Sequence, residues 1–268
     1  MIRLFAVVLF ALLVSNCSDH GKSEAEFPSR TVDVNGIKYR YRIYSPPKRV
    51  PNEKIPVILY LHGSGARGDD NQSQLGIWPE YLAENPGRFS FVIVFPQCRS
   101  GALWSGEMNR QALAALDATV NEIDGDESRL YLVGYSMGGN GTWQNGLIHS
   151  GKFAALVPIA GYVASQTALP EEVLATLPPK LRLAAVSPDP YKVFAEGIGS
   201  TAVWVFHGSE DDAVPVAESR RVFDALKASG NQNVRYTEYE GVGHGLLSRV
   251  FREPGLFEWL GQQRLESK

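Results

Sequence analysis

Residues 130–141 read LYLVGYSMGGNG, an apolar run followed by a glycine-rich turn. The run 130–133 is typical of a strand buried on both faces, and the segment 142–148 beyond the glycines is compatible with a helix. Within the turn, residues 134–138 fit the pattern G-x-S-x-G, whose glycines allow a tight turn between a strand and a helix. Such a turn exposes the hydroxyl of Ser136 at a helix N-terminus, where the helix dipole favours negative charge. The stretch therefore predicts an α/β fold with Ser136 at the carboxyl end of a strand.

The segments on either side continue the alternation of strands and helices. Strand patterns occur at 31–34, 37–44, 55–61, 91–95, 153–160, 201–206 and 234–239, and helical spacing of apolar residues occurs at 109–123, 216–228 and from 256 onward. Buried strands that alternate with amphipathic helices predict a mostly parallel sheet covered on both faces. Asn35 and Gly36 lie between two alternating segments, which predicts an antiparallel hairpin at the N-terminal edge of the sheet.

The composition excludes several classes of protein. The chain has 268 residues, a formal net charge of −3 and 44% hydrophobic residues, which fits a globular protein and gives no electrostatic footprint for nucleic acid. Two cysteines cannot form a disulfide framework or a four-thiolate zinc site. We predict that Cys98, beside a strand end, is a small buried residue. The length fits one large α/β domain, which we expect to be monomeric.

The first residues carry a targeting signal. Arg3 precedes an apolar run at 4–14, which as a helix spans about 16 Å and is too short for a membrane core of about 30 Å. We therefore interpret 1–16 as a secretory signal peptide. Cys17 resembles the lipidated cysteine of bacterial lipoproteins, and the alternative is cleavage nearby with an incidental cysteine. The polar segment 17–30 is predicted to be a flexible tether, so the sequence predicts a membrane-anchored, exported protein of the bacterial cell envelope.

The catalytic domain is predicted to cover 31–268. One segment within it, 162–200, separates two core strands by about 39 residues and is rich in proline. A connection of this length is usually functional or a small subdomain. Two interpretations remain open, a partial cap over the functional site or a surface helix with loops.

A nucleophilic serine needs a base, and the chain has five histidines. His20 lies in the tether, and His149 lies about 20 Å along the helix from the serine, too far to accept its proton. His62 and His207 each end a buried strand and precede glycine, which is typical of a structural role. His244 remains, in a glycine-rich loop after the last predicted strand.

The base in turn needs a carboxylate that fixes its orientation. The segment after the predicted strand 201–206 offers Glu210, Asp211 and Asp212 together. A solvated acidic loop or a helix N-cap would have the same composition. Spacing alone does not choose among the three acids.

With the order serine, acid, histidine in place, the chain resembles the α/β-hydrolase superfamily. More closely, it is similar to exported esterases related to feruloyl esterases, polyhydroxybutyrate depolymerases and the group called predicted peptidases. The resemblance covers nearly all of 31–262, and its motifs are YLHGSGARGDDN (60–71), FPQC (95–98), IDGDESRLYLVGYSMGG (123–139), WVFHGSEDDAVPV (204–216) and GVGHG (241–245). It implies an α/β-hydrolase fold and a Ser136, Asp211, His244 triad that needs no metal and no cofactor.

The resemblance selects Asp211 because the acid in such proteins lies four residues after the histidine of a His-Gly pair and four before the proline of a Val-Pro pair. It also implies an oxyanion hole made by the backbone N–H groups of Ser64 and Met137. The segment 63–68 additionally fits G-x-G-x-x-G, but polar, turn-like residues follow it where a dinucleotide-binding motif has a helix. We therefore do not expect a dinucleotide cofactor.

Three aromatic residues are candidates for the substrate pocket. Trp78, Trp104 and Tyr162 lie in segments that follow core strands, and each either stacks on a substrate group or packs in the ordinary way.

The leading function is a carboxylic ester hydrolase acting on a small-molecule or polymer ester through an acyl-enzyme. A serine peptidase of the same superfamily is the first alternative, although such peptidases usually carry a large extra domain for which this chain has no room. A non-catalytic surface binding lipoprotein is the alternative from a different class.

Overall fold

The structure is a computed structural model that describes residues 26–50, 52–85, 87, 89–163 and 169–266. The predicted signal peptide at 1–16 and the predicted lipidation site at Cys17 lie outside the described residues. Among the helices that the structure does describe, none is long and apolar enough to cross a membrane.

Eight strands form one sheet in the order β1-β2-β4-β3-β5-β6-β7-β8. The strands are β1 (Ser29–Val34), β2 (Ile37–Tyr44), β3 (Ile55–Leu61), β4 (Val92–Pro96), β5 (Gly125–Tyr135), β6 (Ala155–Ile159), β7 (Ala202–Gly208) and β8 (Val234–Tyr239). β1 and β2 pair antiparallel, and β2 pairs antiparallel with β4. The remaining neighbours in the sheet, in the order β4, β3, β5, β6, β7 and β8, all pair in parallel. The predicted mostly parallel sheet with an antiparallel hairpin at one edge is confirmed.

The helices connect the parallel strands and lie on both faces of the sheet. They are α1 (Trp78–Glu84), α2 (Gly106–Ile123), α3 (Met137–Ile148), α4 (Glu171–Thr176), α5 (Pro179–Val186), α6 (Pro190–Ile198), α7 (Ala217–Ala228), α8 (Leu247–Phe251) and α9 (Leu256–Gln262). One apolar core lies under α2, α3, α6 and α7, and the other lies under α1, α8 and α9. This arrangement brings the carboxyl ends of the parallel strands, and the loops that follow them, to one edge of the sheet.

The turn between β1 and β2 has the backbone conformation that its Asn-Gly sequence predicts. Asn35 and Gly36 have φ angles of 55° and 80°, the positive pair that a tight two-residue hairpin requires. The Asp33 carboxylate accepts the N–H of Gly36 at 2.8 Å. These contacts fix the register in which Val34 faces Ile37.

The domain starts earlier than the predicted boundary at residue 31. Phe27 is fully buried, where its ring contacts Tyr44 and Phe95, and β1 begins at Ser29. The guanidinium of Arg42 donates to the Phe27 carbonyl oxygen at 2.9 Å. Residues 26–30 of the predicted tether therefore belong to the fold, because their aromatic and backbone groups complete the edge of the core.

The predicted excursion at 162–200 contains α4, α5 and α6. α6 packs against the second half of α3, where a Cβ on Gly197 would lie 2.2 Å from the Leu147 side chain. Leu181 and Phe194 are buried in the core that α3 and α7 share. In the described part of the segment, the helices extend this helical layer and fit the surface-helix interpretation rather than a cap.

Candidate active site

Ser136 lies between β5 and α3, at the carboxyl edge of the sheet. Its φ of 56° and ψ of −115° are unusual for a residue other than glycine, and its N–H donates to the Ile159 carbonyl oxygen at 2.8 Å. A Cβ on Gly134 would lie 2.1 Å from the carbonyl oxygen of Gly138, and one on Gly138 would lie 1.8 Å from that of Leu61. The glycines of the G-x-S-x-G pattern are therefore required by the close packing of β3, β5 and the start of α3.

His244 lies in the loop after β8, and its imidazole contacts side chains from two other loops. Nε2 lies 2.8 Å from Ser136 Oγ, and Nδ1 lies 2.7 Å from Asp211 Oδ2. The imidazole side chain is 23% exposed, which leaves it accessible to a small substrate. The structure thus brings the predicted serine, base and acid into one hydrogen-bonded chain.

Asp211 follows β7, and its carboxylate is fully enclosed. Oδ1 accepts the N–H groups of Ala213 and Val214 at 2.9 and 2.8 Å, and Oδ2 accepts Nδ1–H of His244. Burial acts to raise the pKa of Asp211, but the hydrogen bonds from Val214, His244 and Ala213 outweigh it and hold the pKa below its usual value. The group is therefore an ionised acceptor.

The other two acids of this loop are differently placed. Glu210 and Asp212 are exposed, and the structure gives their carboxylates no hydrogen bond to His244 within the described residues. Because Asp211 alone of the three turns inward, the geometry separates acids that the sequence spacing left equivalent.

The two backbone N–H groups predicted to form the oxyanion hole each belong to the first residue of a helical segment near Ser136. Met137 is the first residue of α3, and Ser64 is the first residue of a short 3-10 turn, Ser64–Ala66, after β3. A Cβ on Gly63 would lie 3.5 Å from Ser136 Cβ, so the two segments are adjacent. Within the described residues, neither the Ser64 nor the Met137 N–H donates to another protein group. Both amides are therefore available to an oxygen that carries negative charge.

The loop that carries Ser64 is held by Gln97, the buried residue after β4. The Gln97 side chain accepts the Asn71 N–H at 2.7 Å and donates to Asp70 Oδ1 at 2.7 Å and to the Ala66 carbonyl oxygen at 3.2 Å. Although burial opposes it, hydrogen bonds from residues of this loop and from Gln97 keep the pKa of Asp70 well below its usual value. The segment 66–73 is thus fixed by side-chain hydrogen bonds rather than by a strand or a long helix.

Tyr135, the residue before the serine, is a functional candidate that the sequence motifs did not indicate. Its hydroxyl donates to the His244 carbonyl oxygen at 2.9 Å, and its ring centroid lies 5.2 Å from that of the imidazole. A Cβ on Gly63 would lie 3.1 Å from the same ring. Tyr135 therefore contacts both the loop that carries His244 and the loop that carries Ser64. An aromatic residue at the first variable position of G-x-S-x-G was the available signal.

The structure corrects the pocket interpretation for two aromatic residues. Trp78 is fully buried in an aromatic cluster, where its ring lies 4.2 Å from that of Phe251, because it belongs to α1 and faces the sheet. Trp104 is 1% exposed and donates its indole N–H to the His62 carbonyl oxygen at 2.9 Å, so it packs between strand ends. Tyr162 is half-buried, and its carbonyl oxygen accepts Nδ2–H of Asn140 on α3. Of the three, Tyr162 stays a pocket candidate.

His62 and Cys98 have structural roles at the ends of β3 and β4. The Cys98 N–H donates to His62 Nε2 at 3.0 Å, so Nδ1 carries the imidazole proton and donates to the Gly63 carbonyl oxygen at 2.7 Å. Burial lowers the pKa of His62 to about 4 and raises the pKa of Cys98 to about 11. Neither side chain is therefore a charged group at neutral pH.

The described residues contain no cluster of three or more His, Cys, Asp or Glu side chains that could hold a metal ion. The groups that the site does contain are a hydroxyl, an imidazole, a carboxylate and two backbone amides. Their order is the one by which a serine attacks a carbonyl carbon while a histidine accepts the hydroxyl proton.

Residues 102–260, more than half of the chain, match the model of the prolyl oligopeptidase family. The chain belongs to the prolyl oligopeptidase family. It accordingly belongs to the α/β-hydrolase superfamily, as the resemblance in the sequence predicted. The matched segment contains Ser136, Asp211 and His244 but begins after Ser64.

Individual proteins are also similar to this chain. A thermostable esterase of known structure is 28% identical to this chain and superposes with a TM-score of 0.69. The alignment covers 90% of this chain and 63% of the esterase chain. An uncharacterized secreted protein of Arthroderma benhamiae is 26% identical over 84% of this chain and 26% of its own length. A bifunctional acetylxylan esterase/xylanase of Neocallimastix patriciarum is 33% identical over 44% of this chain and 17% of its own length. The chain thus spans about a quarter or less of the curated relatives it matches.

Proposed function

We propose that this family member is a carboxylic ester hydrolase in which Ser136 is the nucleophile, His244 the general base and Asp211 the orienting acid. The observation that carries the proposal is the hydrogen-bonded chain from Ser136 Oγ through His244 to Asp211 Oδ2, with contacts of 2.8 and 2.7 Å. The similarity to a thermostable esterase over 90% of the chain favours an ester as the substrate.

In the first half of the reaction, Ser136 Oγ attacks the ester carbonyl carbon and its proton passes to His244 Nε2. The carbonyl oxygen becomes an oxyanion, which the N–H groups of Met137 and Ser64 stabilise. Loss of one such donor usually lowers the rate by about 10²–10³. The tetrahedral intermediate collapses when His244 gives its proton to the departing alkoxide, which leaves as an alcohol and forms an acyl-enzyme on Ser136.

In the second half, water loses a proton to His244 Nε2 and attacks the acyl carbonyl carbon. The second oxyanion is bound by the same amides. Its collapse breaks the bond to Ser136 Oγ, which recovers the proton from His244, and a carboxylic acid is released. Asp211 stays ionised throughout and stabilises the imidazolium that forms in each half.

A peptidase is the second candidate, because the family is named for peptidases and because the same groups cleave amides. Cleavage of p-nitrophenyl acetate and of an aminoacyl-prolyl p-nitroanilide by the same preparation separates the two. We expect kcat/KM for the ester to exceed that for the amide by about 10² or more, since the ester is intrinsically more reactive and no amide-binding group is assigned. Faster cleavage of the amide would replace the esterase with a peptidase.

The serine variant tests the mechanism itself. We expect S136A to lose at least about 10⁴ in kcat on the ester, as removal of a triad nucleophile does. S150A is the matched control, because Ser150 is an exposed serine beyond the far end of α3. Equal activity of S136A and S150A would mean that the ester is not cleaved at this site, and no ester or amide turnover by the wild-type protein would favour a binding protein.

A further inference from the structure

A second histidine contacts the carboxylate of Asp211. His207 lies in β7, four residues before Asp211, and is completely buried. Its Nε2 lies 3.0 Å from the Val214 carbonyl oxygen and 3.2 Å from Asp211 Oδ2, while Nδ1 lies 2.7 Å from Ser219 Oγ. From the sequence alone, His207 is predicted to have only a structural role at the end of a buried strand.

The hydrogen bonds define which nitrogen of His207 carries the proton. The Val214 carbonyl oxygen can only accept, so Nε2 is protonated and its N–H donates to Val214. Asp211 Oδ2 lies 3.2 Å from the same nitrogen, as a polar contact beside that hydrogen bond. Nδ1 then accepts the hydroxyl hydrogen of Ser219. Burial lowers the pKa of His207, which keeps the imidazole neutral with this single N–H.

Two imidazoles therefore contact one carboxylate oxygen. Asp211 Oδ2 accepts Nδ1–H of His244 at 2.7 Å and lies 3.2 Å from the protonated Nε2 of His207. Oδ1 is already occupied by two backbone N–H groups. Three hydrogen-bond donors and the protonated edge of the His207 imidazole therefore enclose the carboxylate, and together they restrict its rotation away from His244.

We propose that His207 is a positioning residue that acts through Asp211, by holding Oδ2 in line with His244 and by sharing its negative charge. This inference rests on the proposed function, in which Asp211 orients the general base. Without the N–H of His207, Oδ2 would be a stronger acceptor for His244 and would stabilise the imidazolium more. The acid limb of the pH–activity profile would then move to higher pH, and the carboxylate would be free to rotate.

Few other charged groups among the described residues face this pair. On β8, Glu238 lies opposite His207 in the strand register, and it forms an ion pair with Arg220 of α7. On β5, the phenol of Tyr135 faces Asp211. None of these groups is changed in a variant of His207, so a shift of the pH profile reports the lost N–H.

The test compares H207F, which keeps an aromatic ring without a donor, with H207Q, whose amide N–H takes the place of Nε2–H. For H207F we expect kcat on p-nitrophenyl acetate to fall about tenfold with little change of KM, and the acid limb of the kcat/KM profile to move upward by about half a pH unit. H207Q is expected to recover most of kcat and to return the acid limb toward the wild-type position.

S219A is the matched control, because it removes the hydrogen bond to Nδ1 of the same ring and leaves Nε2–H in place. We expect the acid limb of the kcat/KM profile to stay at its wild-type pH in S219A, even if the variant unfolds at a lower temperature. The downfield proton NMR signal of the His244–Asp211 hydrogen bond gives a second readout on folded protein, and we expect it to shift in H207F only.

An unmoved acid limb and an unmoved NMR signal in H207F would overturn the proposal, and so would an H207Q variant as impaired as H207F. Should H207F fail to fold, H207Q decides: we expect its acid limb and its NMR signal at the wild-type positions, and a displaced limb or signal in folded H207Q would overturn the proposal. S136A keeps the two hypotheses apart. If S136A retains activity, the proposed function fails, whereas an inactive S136A with unaffected H207F rejects only the role of His207.

Discussion

Tyr135 is the side chain that connects the serine turn to the histidine loop. Its hydroxyl donates to the His244 carbonyl oxygen, and its ring packs beside the imidazole. In Y135F the loop loses one hydrogen bond, and we expect kcat/KM on an aryl ester to fall about three- to tenfold. Steady-state kinetics measure the effect.

Y191F is the control for Y135F. It also removes a buried tyrosine hydroxyl, which donates to Glu218 at 2.8 Å between α6 and α7. We expect Y191F to lower stability without a comparable loss of kcat/KM. Equal kinetic effects in the two variants would argue against a role for Tyr135 in positioning His244.

His62 makes stability depend on pH. In the unfolded chain this histidine titrates near 6.5, whereas in the folded protein burial holds its pKa at about 4. Between these values the unfolded state binds more protons, so the free energy of unfolding decreases as the pH falls from about 6.5 to about 4. At pH 5 the loss attributable to His62 is about 2 kcal/mol.

H62Q tests whether His62 causes the loss of stability at low pH. Its side-chain oxygen replaces the acceptor for the Cys98 N–H but does not titrate. Urea unfolding at pH 7.5 and pH 5 should show a smaller loss of stability in H62Q than in the wild-type protein. The same loss in both proteins would show that His62 does not titrate differently in the folded and unfolded states.

At this scale the sequence predicted some positions and not others. Ser136 and His244 followed from a pattern and from elimination, since few residue types can serve as nucleophile and base. Spacing alone did not separate Asp211 from Glu210 and Asp212, and only the resemblance to a known family selected it. The side chain that turns inward is determined by the backbone N–H groups of Ala213 and Val214. Such contacts are set by the loop conformation, which spacing does not encode.

The strand–turn–helix unit of β5 and α3 depends on glycines at which the backbones nearly touch. Gly138 packs against the carbonyl of Leu61, and a Cβ there would lie 1.8 Å from its oxygen. We expect G138A to lower the free energy of unfolding by at least about 3 kcal/mol, because a backbone clash inside the sheet cannot relax locally. Urea denaturation measures the change.

Gly65 offers the matched control for G138A, because it lies in a loop at the same edge of the sheet and a Cβ there would have no atom within 4 Å. We expect G65A to change the free energy of unfolding by less than about 0.5 kcal/mol. If G138A were as stable as G65A, the packing of α3 on β3 would have to be looser than the structure has it.

The strand boundaries predicted from apolar runs match the structure where the whole strand is buried, and they differ from it where part of the strand is polar. β3 was predicted as Ile55–Leu61, the same bounds as in the structure. β5 was predicted over 130–133 but spans Gly125–Tyr135, because its first residues are polar and pair only at Ile55. Trp78 looked like a loop residue in the sequence, yet it begins α1, whose aromatic partners come from distant segments of the chain.

The molecule as a whole is completed by residues just before the first predicted strand. Phe27 is fully buried between rings of the sheet, and the Pro28 carbonyl oxygen accepts the Ile43 N–H at 3.2 Å. We expect F27A to lower the free energy of unfolding by about 3–5 kcal/mol, as truncation of a core phenylalanine does. V50A, at a side chain that is 60% exposed, is the control and should leave stability nearly unchanged.

Equal stability of F27A and V50A would mean that the domain starts after residue 30, as the sequence predicted. The sequence missed this boundary because a single aromatic residue within a polar segment carries no periodicity. The predicted anchor at Cys17 stays a prediction that concerns residues outside this domain.

The central claim is that Ser136 is the nucleophile of a serine hydrolase, and covalent labelling tests it most directly. A fluorophosphonate should inactivate the wild-type protein with the addition of one phosphonyl group, found by mass spectrometry on the peptide that contains Ser136. S136A should take up no label under the same conditions. Labelling of S136A to the wild-type extent, or a label on another residue of the wild-type protein, would contradict the account.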